Sequence, residues 1–227
     1  MRRVRALRDQ DAASPSGTRR PALRVLARQF YDRETEIVAR DLIGRILECT
    51  RDGVTCRGII SETEAYLGEH DPACHAAAGR TARTAGLYGK PGTAYVYFIY
   101  GMYWCVNAVT RAEGMPSAVL IRGVRPLTGL DAMHHRREAS RTRYARRGRH
   151  VAARALSEHA LADGPGKLCV AFGIDGPTHH GADLLRGSPL RILEGVPVDD
   201  ARVLVTPRIG ISKARDWPLR FLLCPDG

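Results

Sequence analysis

The sequence predicts one α+β domain: a curved, mainly antiparallel sheet with surrounding helices and a protruding β-hairpin. Three observations lead there. Runs that alternate at period two outnumber runs at helical period. Tight-turn residues, Asp52-Gly53 foremost, join neighbouring runs as hairpins. No strand–helix–strand alternation of the kind that builds a parallel sheet recurs. A chain of 227 residues buries one good core, and nothing in it reads as an internal repeat or an interdomain linker.

The elements follow in order. Met1 to Arg20 carries six arginines spaced by Ser, Pro and Gly, so residues 1–22 read as a disordered basic arm and 23–227 as the folded domain. The arm has no apolar stretch of the signal-peptide kind, and Asp9 and Asp11 weigh against an organelle transit peptide. Whether it contacts a polyanion or is merely solvated stays open at this point. From Glu34 to Ile46, the spacing of Ile37, Val38, Asp41 and Leu42 predicts a helix ending near Gly44. Ile46 to Leu67 alternates on either side of Asp52-Gly53, giving two strands. His70 to Pro91, rich in Ala, Gly, Thr and Arg, reads as a loop with at most a short helix. Ser117 to Arg122 is another strand. Leu127 to Arg149 includes a helix with seven arginines from Arg136 onward. A run of one sign makes a poor isolated helix, so this segment reads as phosphate-facing or flexible. Ala162 to Gly173 predicts a turn and a short helix. Leu190 to Val205 offers two strands around a Gly-Val-Pro link, and PLRFLL is the closing strand.

The aromatic residues concentrate in one place. Six of the fourteen Phe, Trp and Tyr residues lie between Tyr95 and Trp104. At period two, Tyr95, Tyr97 and Ile99 share one face and Val96, Phe98 and Tyr100 the other, until Gly101 interrupts. A second run through Tyr103, Cys105, Asn107 and Val109 completes a hairpin with Tyr100 near its tip. A core hairpin would more cheaply use Phe or Ile, because a buried hydroxyl must be paired. Tyrosines crowded at a turn suit a surface that is both apolar and wet.

Charge narrows the partner. Lys and Arg exceed Asp and Glu by eleven (35 against 24), and most of the excess is Arg. That balance favours nucleic acid or an anionic membrane surface. No apolar run is long enough to span a bilayer. Six cysteines, at 49, 56, 74, 105, 169 and 224, form no C-x-x-C pair and no zinc-finger spacing with His. They read as reduced, partly buried thiols of a cytoplasmic protein, and neither metal nor cofactor is expected. In SETEAYLG, residues 61–68, a strand puts Glu62, Glu64 and Tyr66 on one face. Two acids beside a tyrosine are not a core face. They are either surface glutamates or the acid/base pair of a glycosidase.

Taken in order, SETEAYLG, His75, GRT, KPGTAYVYFIYGMYWCVN, AVLIRG, GPGKL and TPRIGI resemble the alkyladenine (3-methyladenine) DNA glycosylases, the monofunctional kind that excise alkylated purines. The likeness runs from about Leu26 to the C-terminus, and YVYFIYGMYWCVN with ETEAY upstream is its most specific part. The resemblance implies that Glu64 is the general base activating water for attack at the sugar C1′. Arg122 and the backbone carbonyl of Ile209 would hold that water. A carboxylate suits an oxocarbenium-like transition state because it takes the proton and stabilises the charge. Tyr66, His75 and Tyr97 would sandwich an extruded base, and Tyr100 would wedge into the minor groove in its place. Asn107 would stand where the 2-amino group of guanine would go, rejecting the normal base. Tyr95 and Tyr103 read as structural.

Lys167 with the amides of Gly164 and Gly166, and separately Lys90, read as phosphate contacts. No lysine stands in these motifs to form a Schiff base, so an abasic site without strand cleavage is expected. After GRT the family commonly carries Pro-Arg-Asn, where this chain has Ala82, Arg83 and Thr84, and Cys74 replaces a small polar residue. The implied partner is double-stranded DNA with damaged purines, met by a monomer in a bacterial-type cytoplasm at the nucleoid, not at a membrane. Two other readings remain: a non-catalytic nucleic-acid-binding protein using the same tyrosines, and a carbohydrate hydrolase built on Glu62 and Glu64.

Overall fold

The computed structural model describes residues 23–146 and 155–224; the basic arm, the far end of the Arg-rich segment and the last three residues lie outside them. Helices α1 (Arg28–Tyr31) and α2 (Thr35–Leu42) precede strands β1 (Ile46–Arg51) and β2 (Val54–Tyr66). Three 3-10 turns, Gly68–His70, His75–Ala78 and Ala85–Tyr88, lead to a hairpin of β3 (Ala94–Ile99) and β4 (Tyr103–Thr110). Then come β5 (Ser117–Thr128), α3 (Leu130–Arg146), α4 (Pro165–Phe172) and α5 (Gly176–His179). Strands β6 (Leu190–Leu193), β7 (Val203–Thr206) and β8 (Arg220–Leu223) close the chain.

The strands pair antiparallel in the order β3-β4-β5-β2-β1-β6, with β8 pairing both β2 and β7. β2 changes partner along its length: its beginning lies against β1, and Glu62 to Glu64 lie against β8. That handover curls the sheet into a half-barrel, and the expected α+β single domain is what forms. Both tight turns are made as the sequence predicts. Asp52 and Gly53 take φ of 53° and 76°, and Tyr100 and Gly101 take 54° and 64°. Positive φ at both central residues is the mark of the hairpin turn whose twist matches its strands. Glycine adopts it freely, whereas a left-handed tyrosine costs about 1–2 kcal/mol. The turn also removes Tyr100 from the face of Val96 and Phe98, where simple alternation had put it.

Helix α2 runs to Leu42, burying Val38, Ala39 and Leu42, and Ile46 opens β1, as the spacing predicts. One reading needs correction. The Arg-rich segment is a helix through Arg146, and three of its arginines are committed to the fold or to charge pairs. Arg136 donates to the carbonyls of Ala171 and Arg51 at 3.2 and 3.3 Å, Arg137 is buried, and Arg141 pairs with Glu138 at 2.8 Å. Only Arg143 and Arg146 of the described run stay on the exposed side.

The main core fills the space between the sheet and its helices, with Leu47, Ile60, Val106, Ile121, Leu168 and Phe172 among its members. Each such side chain contributes about 1.5–3 kcal/mol by leaving water. All six cysteines are free, and five are buried. A second, smaller cluster lies on the opposite face of β3, β4 and β5. Cys74, Ala76, Leu87, Tyr95, Val109 and Ala118 form it, and Tyr66, Tyr88 and Tyr97 pack against it. It is the floor under the candidate site.

Candidate active site

Glu64 is fully buried, yet both of its oxygens are met. Oε1 accepts the backbone N–H of Ile209 at 2.9 Å. Oε2 accepts the Tyr66 hydroxyl at 2.8 Å and lies 3.4 Å from Arg122 Nη1. A buried carboxylate lacking such donors would be strongly disfavoured. Arg122 reaches this position where the β2–β5 ladder loses register between Ile60 and Thr63. Irregular pairing of this kind re-aims a side chain.

The neighbouring acid is treated differently. Glu62 Oε1 accepts from Arg122 Nε at 2.8 Å and from Arg220 Nε at 2.7 Å. Burial opposes the Arg122 charge, but Glu64 and Glu62 outweigh it and raise the guanidinium pKa. Burial first, and then the Glu64 charge, push the Tyr66 phenol well above its ordinary range. Tyr66 therefore stays protonated and serves Glu64 as a donor.

Tyr66, Arg122 and Ile209 form one wall of a cavity of about 490 Å³, a volume typical of small-ligand sites. The hairpin and the loop after β2 supply the rest. His75 meets Tyr97 edge to face, ring centroids 4.5 Å apart. Its Nδ1 lies 3.1 Å from the Tyr95 hydroxyl, which donates to the Arg83 carbonyl at 3.3 Å. Burial, aided by the Arg83 charge, holds the His75 pKa below its ordinary 6.5. Tyr95 is thus structural in a specific sense: it fixes the His75 ring. Asn107 is buried and its Nδ2 donates to the Tyr95 carbonyl at 2.9 Å.

Tyr100 stands 73% exposed at the hairpin tip and also lines the cavity. Tyr103 lines it too, and a Cβ at position 166 would stand 2.7 Å from the Tyr103 ring. Glycine there lets the start of α4 close on the hairpin. Gly164 caps that helix, and Lys167 beside it pairs with Asp163 at 2.9 Å. Lys90 is exposed and does not line the cavity. Thr84 is buried and donates to the Gly79 carbonyl at 3.0 Å, so this departure from the family's usual residue serves its own loop.

The fold therefore lines one cavity with Tyr66, His75, Tyr97, Tyr100, Asn107, Arg122, Gly164, Lys167 and Ile209, sets Glu64 behind Tyr66 and Ile209, and leaves out Lys90. Ile209 enters through its N–H on Glu64, a contact that sequence reading did not foresee. Sequence reading also passed over Arg208 and Asp71, a buried ion pair behind Tyr66. The signal was in view, since Arg208 belongs to TPRIGI. Among the described residues no three His, Cys, Asp or Glu side chains gather as a metal site requires. No helix among them is long and apolar enough to cross a membrane.

The site is thus a clamped carboxylate behind an aromatic-lined cavity, carried on a curled antiparallel sheet. The profile of the methylpurine-DNA glycosylase (MPG) family matches residues 29–226. A protein of Methanocella arvoryzae, provisionally named a 3-methyladenine DNA glycosylase, is 43% identical over 198 residues, 86% of this chain and 89% of its own. A protein of the same name from Carboxydothermus hydrogenoformans is 43% identical over 199 residues, 88% and 95% of the two chains. One from Clostridium perfringens is 38% identical over 203 residues, 87% and 95%. The chain belongs to the methylpurine-DNA glycosylase family.

Proposed function

We propose that this protein extrudes an alkylated or deaminated purine from duplex DNA and hydrolyses its N-glycosidic bond, leaving an abasic site. The observation that carries the reading is the 2.8 Å hydrogen bond from Tyr66 to Glu64, which makes the wall of the slot and the acid one unit. A base held among Tyr66, His75 and Tyr97 brings its sugar bond toward that acid. Glu64 takes the proton of a water attacking C1′, and its charge favours the oxocarbenium-like transition state. Arg122 and the backbone at Ile209 complete the water site.

A cationic N-alkylpurine gains about 0.5–2 kcal/mol from aromatic faces. A neutral His75 adds no opposing charge. Asn107, tied to Tyr95, occupies the room that the guanine 2-amino group needs. Tyr100 fills the gap left in the duplex, offsetting an unstacking cost of a few kcal/mol. The start of α4 at Gly164, with Lys167, takes a phosphate, and Lys90 makes a looser phosphate contact outside the slot. Among the described residues Lys167 is the one lysine lining the cavity, and it is already paired with Asp163, so none of them places a free amine to form a Schiff base. Strand cleavage is therefore not part of the reaction. The enzyme works as a monomer on duplex DNA, in the cytoplasm at the nucleoid.

Glu62 is held through Oε1 by two guanidiniums, Arg122 and Arg220, which disfavours a carbohydrate hydrolase built on both acids. The excision assay separates the remaining readings. A duplex with one hypoxanthine or ethenoadenine is incubated with wild type and with Glu64→Gln. Wild type releases free base and leaves the strand intact until alkali is added. Glu64→Gln binds the duplex but releases base at least ~100-fold more slowly. A wild type that binds without releasing base would be a binding protein only.

A further inference from the structure

Arg208 and Asp71 have no part in the chemistry above, and their side chains are both completely buried. Arg208 Nη2 donates to Asp71 Oδ1 at 2.8 Å, and Nη1 donates to Oδ2. Nη1 also donates to the carbonyl of Ala65, between Glu64 and Tyr66, at 3.0 Å. The guanidinium lies 4.8 Å from the Tyr66 ring centroid and does not line the cavity, so it backs that ring from outside the slot. The next residue along the chain is Ile209, whose N–H holds Glu64. Asp71 in turn accepts the N–H groups of Leu67 and Ala73 at 3.1 and 3.0 Å, in the turn that carries the chain from β2 to His75.

We propose that Arg208, locked by Asp71, is the positioning residue of this site: it sets the Glu64 clamp, the Tyr66 wall and the His75 loop at fixed separations. The inference rests on reading the slot as the seat of an extruded base. A buried ion pair seldom stabilises a fold more than an apolar pair of the same size. Arg208 Nε has no acceptor among the described residues, a buried unmet donor that stability alone does not explain. What the pair supplies is geometry. The bidentate fork fixes the plane of the guanidinium, and stacking passes that plane on to Tyr66. A lysine is a point charge that can do neither.

The test compares wild type, Arg208→Lys and Glu48→Gln. Glu48 is a buried acid held by Arg57 and Arg191, away from the cavity, so its variant weakens the fold without touching the slot. Each is measured for melting temperature, for affinity toward a duplex with a stable abasic analogue, and for single-turnover release of hypoxanthine. Arg208→Lys should slow release at saturating enzyme by roughly 10–100-fold. Its affinity for the abasic duplex should stay within about 3-fold of wild type, because phosphate contacts dominate binding. Glu48→Gln should melt lower and release base at the wild-type rate. If Arg208→Lys fails to fold, the double variant Arg208→Met with Asp71→Leu, which removes both charges, gives the same reading. Normal wild-type release with Arg208→Lys no slower than Glu48→Gln overturns the positioning role alone. A wild type that releases no base overturns this role and the glycosylase reading together.

Discussion

Glu48 and Glu64 lie on neighbouring strands, and both are buried, but they are held in opposite ways. Glu48 faces Arg57 across the β1–β2 ladder and Arg191 across the β1–β6 ladder. Arg57 Nε reaches Oε2 at 2.6 Å, and Arg191 takes Oε1, so each oxygen is met by a full charge. These are cross-strand pairs, the ordinary means by which a sheet settles a charged residue. Glu64 instead receives a hydroxyl, a backbone amide and a longer contact from an arginine that is shared with Glu62. Its donors line a cavity, whereas those of Glu48 do not. Burial of an acid is thus no sign of chemistry by itself. The kind of donor and the space beyond it make the difference.

The same substitution at both positions should split the two roles. Glu64→Gln should lower base release by roughly 10²–10⁴-fold while the duplex still binds. Glu48→Gln should keep release intact and reduce stability by about 1–3 kcal/mol, the cost of leaving a buried polar group unmet. For a domain of this size that is a fall of roughly 2–12 °C in melting temperature. Equal losses of release at the two positions would erase the contrast.

A smaller effect should appear with pH. Burial lowers the pKa of His75, and of His179, below the ordinary 6.5. Between each lowered value and 6.5 the unfolded chain binds a proton that the folded chain refuses, so stability rises with pH through that window. Acidification from pH 7.5 to 5.5 should therefore lower the melting temperature, and His75→Gln should remove part of the slope. A wild type that melts higher at pH 5.5, or a variant with an unchanged slope, would count against a neutral histidine in the slot wall.

Local features of this protein were legible before any coordinates. The β1–β2 turn at Asp52-Gly53, the aromatic hairpin, α4 and β8 all follow from alternation, helical spacing and turn residues that lie close together in the chain. Non-local features were not. The handover of β2 from β1 to β8, and the slip that brings Arg122 beside Glu64, depend on pairing between distant strands. Alternation placed Glu62, Glu64 and Tyr66 on one face but gave no reason to prefer either acid. The preference for Glu64 is what resemblance to a family implies; the structure shows only that the two acids are held differently. A run of arginines does not reveal which ones turn inward, as Arg136 and Arg137 do. Arg208 lies within TPRIGI, but nothing in that motif points to its partner Asp71, 137 positions away.

The most direct measurement is a crystal structure of Glu64→Gln bound to a duplex containing one ethenoadenine. The account predicts the damaged base extruded among the rings of Tyr66, His75 and Tyr97. Its C1′ should stand one water away from the side chain at position 64, with the Tyr100 ring inside the duplex. A base still stacked in the helix, or seated in the cavity with its sugar bond turned away from position 64, would contradict it.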